Sequence, residues 1–154
     1  MKRPIRKLNG RRAATLAAKP VRHVVAALIL RGEGESREVL ICQRRPDQPM
    51  GHKWEFPGGK IEPGETAEVA LARELNEELG IDATIGEKLT TVRHNYRNGA
   101  SIEIQFFKVT EFRSELENRI FQEMLWSGFE RLPEYDFLTA DLELIRDLAD
   151  GKLL

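Results

Sequence analysis

The chain has 154 residues, 41% hydrophobic and 32% charged, a balance that suits one globular domain and argues against intrinsic disorder. No apolar run approaches the roughly 20 residues of a membrane helix, the N-terminus lacks the apolar core of a secretory signal, and the single Cys42 excludes an intrachain disulfide or a cysteine zinc site. The net charge of −1 conceals an asymmetry: residues 1–22 hold eight basic side chains and no acid, which leaves residues 23–154 at −9. An acidic body argues against a general nucleic-acid binder and permits a carboxylate-rich metal site. With one cysteine and no membrane segment, the cytoplasm is the expected compartment.

Residues 1–20 read as a basic arm ending at Pro20, with a short helix around Arg11 to Ala18, and residues 21–154 as the domain. The Arg-rich, acid-free arm also leaves a mitochondrial presequence open, although it is poor in Ser. His23 to Leu30 is β-branched and apolar, a buried strand, and residues 31–36 form a turn before a second strand from Glu38 to Arg44. Residues 45–53 are loop, and residues 54–59 are a short extended segment ending at Gly58-Gly59. Thr66 predicts the N-cap of a helix that runs to Leu79 and stops at Gly80. A short strand follows over Ala83 to Lys88. Two more, Leu89 to Tyr96 and Ser101 to Phe112, join across Asn98-Gly99, and another covers Leu125 to Phe129. Thr139 to Asp150 reads as a closing helix with Leu142, Ile145 and Leu148 on one face. Strands outnumber helices and the helices are separated in sequence, so the class is α/β with a sheet between helices.

The middle helix carries the chemistry. On a wheel of roughly 100° per residue, Leu71, Leu75 and Leu79 form an apolar stripe, and Glu74, Glu77 and Glu78 share an arc of about 100° beside it. Three like charges that close repel, and Arg73 offsets part of this by reaching Glu77 at i+4. A divalent cation would offset more, since Mg²⁺ and Mn²⁺ prefer hard oxygen ligands. Gly58-Gly59 removes side chains where a carbonyl or phosphate must approach, and Glu55, Glu62 and Glu65 add carboxylates nearby. Carboxylates with a glycine turn suit phosphate-ester chemistry, in which metals neutralise phosphate oxygens and a spare carboxylate takes a proton from water.

A Glu-rich helix alone is usually a solvated face. The full spacing is what separates this one from that reading. Gly59, five residues, Glu65, seven residues, then Arg73-Glu74-Leu75-Asn76-Glu77-Glu78-Leu79-Gly80-Ile81 matches the 23-residue Nudix box at every position. A chance match in a chain this long is on the order of one in a million. The sequence therefore resembles the Nudix hydrolases, over roughly residues 21–148. Within them, residues 54–62, Trp-Glu-Phe-Pro-Gly-Gly-Lys-Ile-Glu, look like the MutT branch, the pyrophosphohydrolases of nucleoside triphosphates. Residues 40–45, Trp126 and residues 132–137 also fit that branch.

The resemblance implies an α/β/α sandwich with a mixed sheet. It implies hydrolysis of NTP to NMP and pyrophosphate by attack at the β-phosphorus, with Mg²⁺ or sometimes Mn²⁺. By position, Glu77 and Glu78 are the core metal ligands, the Gly58 carbonyl is a further ligand, and Glu74 is a ligand and the base, or shares that duty. Arg73 orients the glutamates, Lys60 and Arg44 are phosphate contacts, and Glu65 anchors the turn. The auxiliary Glu that such proteins carry before the late Trp aligns with Ile120. Either Glu117 or Glu123 substitutes, or the box carboxylates work alone.

MutT-like proteins read the base with an Asn or Asp at the start of the closing helix, so the resemblance implies Asp141 for that role, with Phe56 and Tyr96 packing on the base; Asp141 could equally cap the closing helix. An ionised Asp only accepts hydrogen bonds, which suits the extra N7–H of 8-oxo-dGTP or the amino group of cytosine nucleotides, unless burial protonates it. The MutT pattern favours the sanitising of oxidised nucleotides, with a CTP or 5-methyl-dCTP pyrophosphohydrolase as the alternative. A nucleotide- or DNA-binding Nudix module is the reading from another class. Such modules usually lose the box glutamates, which this chain keeps. Nothing in the sequence chooses between monomer and homodimer.

Overall fold

The computed structural model describes residues 20–154. The helix expected around residues 11–18 lies outside the described residues.

In chain order the strands are β1 (Val21–Arg31), β2 (Glu38–Gln43), β3 (Trp54–Glu55), β4 (Gly58–Lys60), β5 (Asp82–Thr84), β6 (Lys88–Asn95), β7 (Ser101–Val109), β8 (Glu111–Arg113) and β9 (Glu123–Gly128). Helix α1 (Ala67–Leu79) lies between β4 and β5, and α2 (Leu142–Ala149) closes the chain. Strand β1 is the spine. It runs parallel to β7, and β6 pairs antiparallel to the far side of β7. On its other side β1 changes partner: Val24 to Ala26 pair with β4, and Leu30 and Arg31 pair with β2. The β2 strand also holds β3 and β9, which completes a mixed seven-stranded sheet.

The continuous apolar run in β1 is explained by burial on both faces. Val25, Ala27 and Ile29 point to one core with α1, and Ala26, Leu28 and Leu30 point to a second core with α2. The result is the expected sandwich, one helix on each face.

Helix α1 forms where expected. The Thr66 hydroxyl accepts from the Val69 N–H at 3.2 Å, and Gly80 ends the helix at φ 68°, in the left-handed region. The other end is covered from outside. The Arg119 guanidinium donates to the Asn76 carbonyl at 3.1 Å, and the Glu117 N–H donates to the Leu79 carbonyl at 2.9 Å.

Four expectations are corrected. The single strand over residues 101–112 breaks after Val109, because β8 leaves the main sheet to pair with β5. That pairing also shifts the short strand expected at residues 83–88 forward to Asp82–Thr84. The extended segment at residues 54–59 splits into β3 and β4, because one half pairs with β2 and the other with β1. The closing helix begins at Leu142, after a 3₁₀ turn at Thr139–Asp141. Ile145 and Leu148 are buried as expected, together with Leu144, but Leu142 is 44% exposed. Each step of three residues drifts about 60° around an α-helix, which carries Leu142 off the buried face.

Leu75 lies fully buried between α1 and the sheet. Leu75→Ala is expected to lower the unfolding free energy by about 2–5 kcal/mol in urea denaturation. A loss below about 1 kcal/mol would contradict its place in the core.

Candidate active site

The glutamates of α1 are bound into a network centred on Arg73. Its guanidinium holds Glu65 through two bonds of 2.7 and 2.8 Å, Glu74 at 3.0 Å, Glu77 at 3.4 Å and the Lys60 carbonyl at 3.1 Å. Glu65 also accepts from the Glu62 N–H at 2.9 Å, so it anchors the turn before the helix. The Arg73 hydrogen bonds hold the Glu65 carboxyl down at about 2.

Glu78 lies on the buried side of α1, 8% exposed, and accepts from the Gly58 N–H at 3.3 Å. Burial pushes its carboxyl far above the usual carboxylate range, and a shared proton and charge repulsion from Glu74 push it further. Glu77 is more exposed and faces outward. The β4 glycines lie in close quarters, Gly58 against the backbone of β1 and Gly59 against the Glu74 carboxylate. A Cβ at Gly59 would lie 2.6 and 2.7 Å from the Glu74 carboxylate oxygens, and one at Gly58 would run into the Val25 carbonyl.

On the other side of β4 is a cavity of about 350 Å³. It gathers six of the expected residues: Arg44, Phe56, Gly58, Lys60, Tyr96 and Asp141. Phe56 is buried and packs against Phe106 and Phe137, at ring distances of 6.1 and 5.5 Å. Asp141 is 4% exposed, and its side chain does not cap α2. Its neighbours fix its place. Trp54 donates to the Asp136 carbonyl and accepts from the Leu138 N–H, and Leu138 in turn accepts from the Asp141 N–H. Burial, with Glu55 nearby, pushes the Asp141 carboxyl up to about 7. Two wider hollows, of about 570 and 520 Å³, border the turn between β1 and β2 and contain none of these residues.

Arg44 is engaged by the protein itself. It donates to Glu55 at 3.0 Å and to the Pro49 carbonyl at 2.9 Å, and its second terminal nitrogen has no protein partner among the described residues. The burial of Glu55 raises its carboxyl despite that arginine. Glu117 and Glu123 do not reach the cavity: Glu117 pairs with Arg119 at the end of α1, and Glu123 opens β9 at the solvent. Sequence reasoning missed the cavity's apolar wall, Ile102, Ile104 and Phe106. Their period of two along β7 was the available signal. It also missed Pro49 and Met50, which no periodicity marks.

Among the described residues, no three potential ligand side chains stand ready as a metal cluster, and Arg73 engages two of the glutamates. The donor set still fits a hard divalent cation. Carboxylates crowded at a partly buried place lack enough positive charge, and a cation supplies it.

The NUDIX domain profile matches residues 20–148. The chain is 36% identical to the CTP pyrophosphohydrolase of Escherichia coli K12 over 79% of its length and 87% of that protein. It is 44% identical to the 8-oxo-dGTP diphosphatase of Proteus vulgaris over 63% of its length and 83% of that protein. Among solved structures, the E. coli ORF135 protein superposes with a TM-score of 0.73 at 34% identity, covering 84% of this chain and 89% of the other. A MutT structure, from work on Aliivibrio salmonicida and Vibrio cholerae, superposes at 0.71 with 30% identity, covering 86% and 99%. With the box intact and the fold matched on both sides of it, this chain belongs to the Nudix hydrolase family.

Proposed function

We propose that the protein is a MutT-like nucleoside triphosphate pyrophosphohydrolase that converts NTP and water to NMP and pyrophosphate, with Mg²⁺ as its working ion and Mn²⁺ as a substitute. The observation that carries this reading is the position of β4. Gly58 and Gly59 line a cavity of about 350 Å³, and the same two residues touch the carboxylates of α1, Gly58 through its N–H to Glu78 at 3.3 Å and Gly59 against the Glu74 carboxylate.

Glu77, Glu78 and the Gly58 carbonyl would hold the divalent ion, with Glu74 as a further ligand, and the ion would supply charge neutralisation for phosphate and activation of water. Glu74 also takes the proton from the attacking water, or shares that task with the ligand pair. Arg73 holds Glu74 and Glu77 in position, as its bonds of 3.0 and 3.4 Å support. Lys60 and the free end of Arg44 contact phosphate. Phe56 and Tyr96 pack on the base, and Asp141 reads its edge.

Oxidised purine nucleotides such as 8-oxo-dGTP are the preferred substrate in this reading. A cytosine nucleotide is the second reading, favoured by the paired acceptors Glu55 and Asp141, which suit an exocyclic amino group, and by the likeness to a CTP pyrophosphohydrolase. Residues 21–154 form the catalytic domain in this reading. The free, buried Cys42 supports a cytoplasmic home, and no helix among the described residues is long and apolar enough to cross a membrane.

Glu77→Gln and Glu78→Gln are each expected to lower kcat by about a hundredfold or more with the fold intact, and EDTA to remove activity. Pyrophosphate release and circular dichroism check this; full activity in both variants, or in EDTA, contradicts it. Asp141→Asn is expected to lower kcat/KM for the preferred base by about tenfold or more, measured across 8-oxo-dGTP, dCTP and 5-methyl-dCTP. Asp141 is a donor below about pH 7 and only an acceptor above it, so wild-type selectivity should change across that range and the Asn variant's should not. Selectivity flat with pH in both proteins contradicts the role of Asp141.

A further inference from the structure

The loop between β2 and β3 contains two non-glycine residues in the left-handed region, Met50 at φ 57° and His52 at φ 68°. A side chain with a Cβ is strained there. Burial does not explain the strain at Met50, which is 54% exposed.

The loop is nevertheless held in one shape. Arg44 donates from its N–H to the Lys53 carbonyl at 2.9 Å, accepts from the His52 N–H at 3.0 Å, and donates from Nε to the Pro49 carbonyl at 2.9 Å. Gln43 donates to the His52 carbonyl at 3.1 Å, and Gln48 accepts from the Arg45 N–H at 2.9 Å. Between the strained residues, Gly51 is so enclosed that a Cβ would lie 2.8 Å from the carbonyl oxygens of Arg45 and Pro46.

That shape puts Met50 on the wall of the same cavity as Phe56 and Asp141. Of the other large apolar side chains on that wall, Phe56, Ile102, Ile104 and Phe106 are at most 9% exposed, and Val24, Tyr96 and Leu138 are partly buried. Met50 is the long apolar side chain on that wall that stands mostly exposed. A flat, polarizable ligand surface would cover it, and a thioether makes favourable contacts with aromatic rings.

We propose that Met50 is a specificity residue whose thioether packs on the face of the substrate's base. The proposal rests on the nucleotide reading above. Arg44 ties this contact to the reading of the base edge, because the same guanidinium that holds the Met50 loop also holds Glu55 at 3.0 Å. Loop 44–53 is then a preformed wall, with its geometry set before the nucleotide arrives.

The test uses Met50→Gly and Met50→Leu in the full chain. Glycine relieves the left-handed strain, so the thermal midpoint should hold or rise. The KM for nucleoside triphosphate should rise by about fivefold or more with kcat little changed, and leucine should restore most of that loss. Inhibition by inorganic pyrophosphate, which has no base, should be the same in all three proteins. An unchanged KM in Met50→Gly overturns the proposal, as does weaker pyrophosphate inhibition in the same proportion. If the wild type turns over no nucleoside triphosphate, the nucleotide reading fails by that result. Met50 is then judged by calorimetric binding of dGMP and CMP. Affinity lost in Met50→Gly supports the base contact, and equal or undetectable affinity in both proteins overturns it.

Discussion

A carboxyl group that the fold buries without a matching positive charge governs the site. Glu78 lies on the inner side of α1, against the Gly58 N–H and beside Glu74. Two carboxylates that close disfavour each other's ionisation in a partly dry place, and a cation held there would relieve the repulsion. Much of the surrounding structure serves this placement. The Thr66 cap and the Arg119 contacts define the two ends of α1, Leu71 and Leu75 set its rotation, and Gly59 lets β4 come within reach of Glu74.

Arg73 plays the complementary part. It binds Glu65 most tightly, and through Glu65 it is tied to the turn at Glu62. The guanidinium therefore belongs to the scaffold as much as to the site. It lowers the repulsion among Glu74 and Glu77 while leaving Glu78, at the buried edge of the same arc, without an ion pair among the described residues. The change of partner along β1 completes the arrangement. The chain can supply Gly58-Gly59 to one stretch of the spine and β2 to another, and the cavity opens beside that fork.

Much of this was legible in the sequence, for identifiable reasons. Helix α1 has local signals at both ends, Thr66 and Gly80, and neither depends on distant residues. The double-sided burial of β1 could be read from an apolar run without alternation. The box glutamates were found because their spacing is dense and rigid on a helix. Where pairing partners are far apart in sequence, the reading failed. The break after Val109 depends on the pairing of β8 with β5, and the start of α2 is delayed by a 3₁₀ turn that no residue type announces. Asp141 was singled out, but its freedom from capping follows from the ties of residues 136–138 to Trp54, more than eighty positions away. Met50 had no signal, since it stands in a loop whose shape is set by hydrogen bonds to Arg44.

The claim that a divalent cation resolves the charge imbalance at Glu78 can be read without turnover. Thermal unfolding of the wild type and of Glu78→Gln, each with and without saturating MgCl₂ at constant ionic strength, measures it directly. The wild-type midpoint is expected to rise by about 5 °C or more with the ion, because a ligand bound only by the folded state stabilises it. The Glu78→Gln midpoint is expected to move little. An equal rise in both proteins, or none in either, would contradict the account.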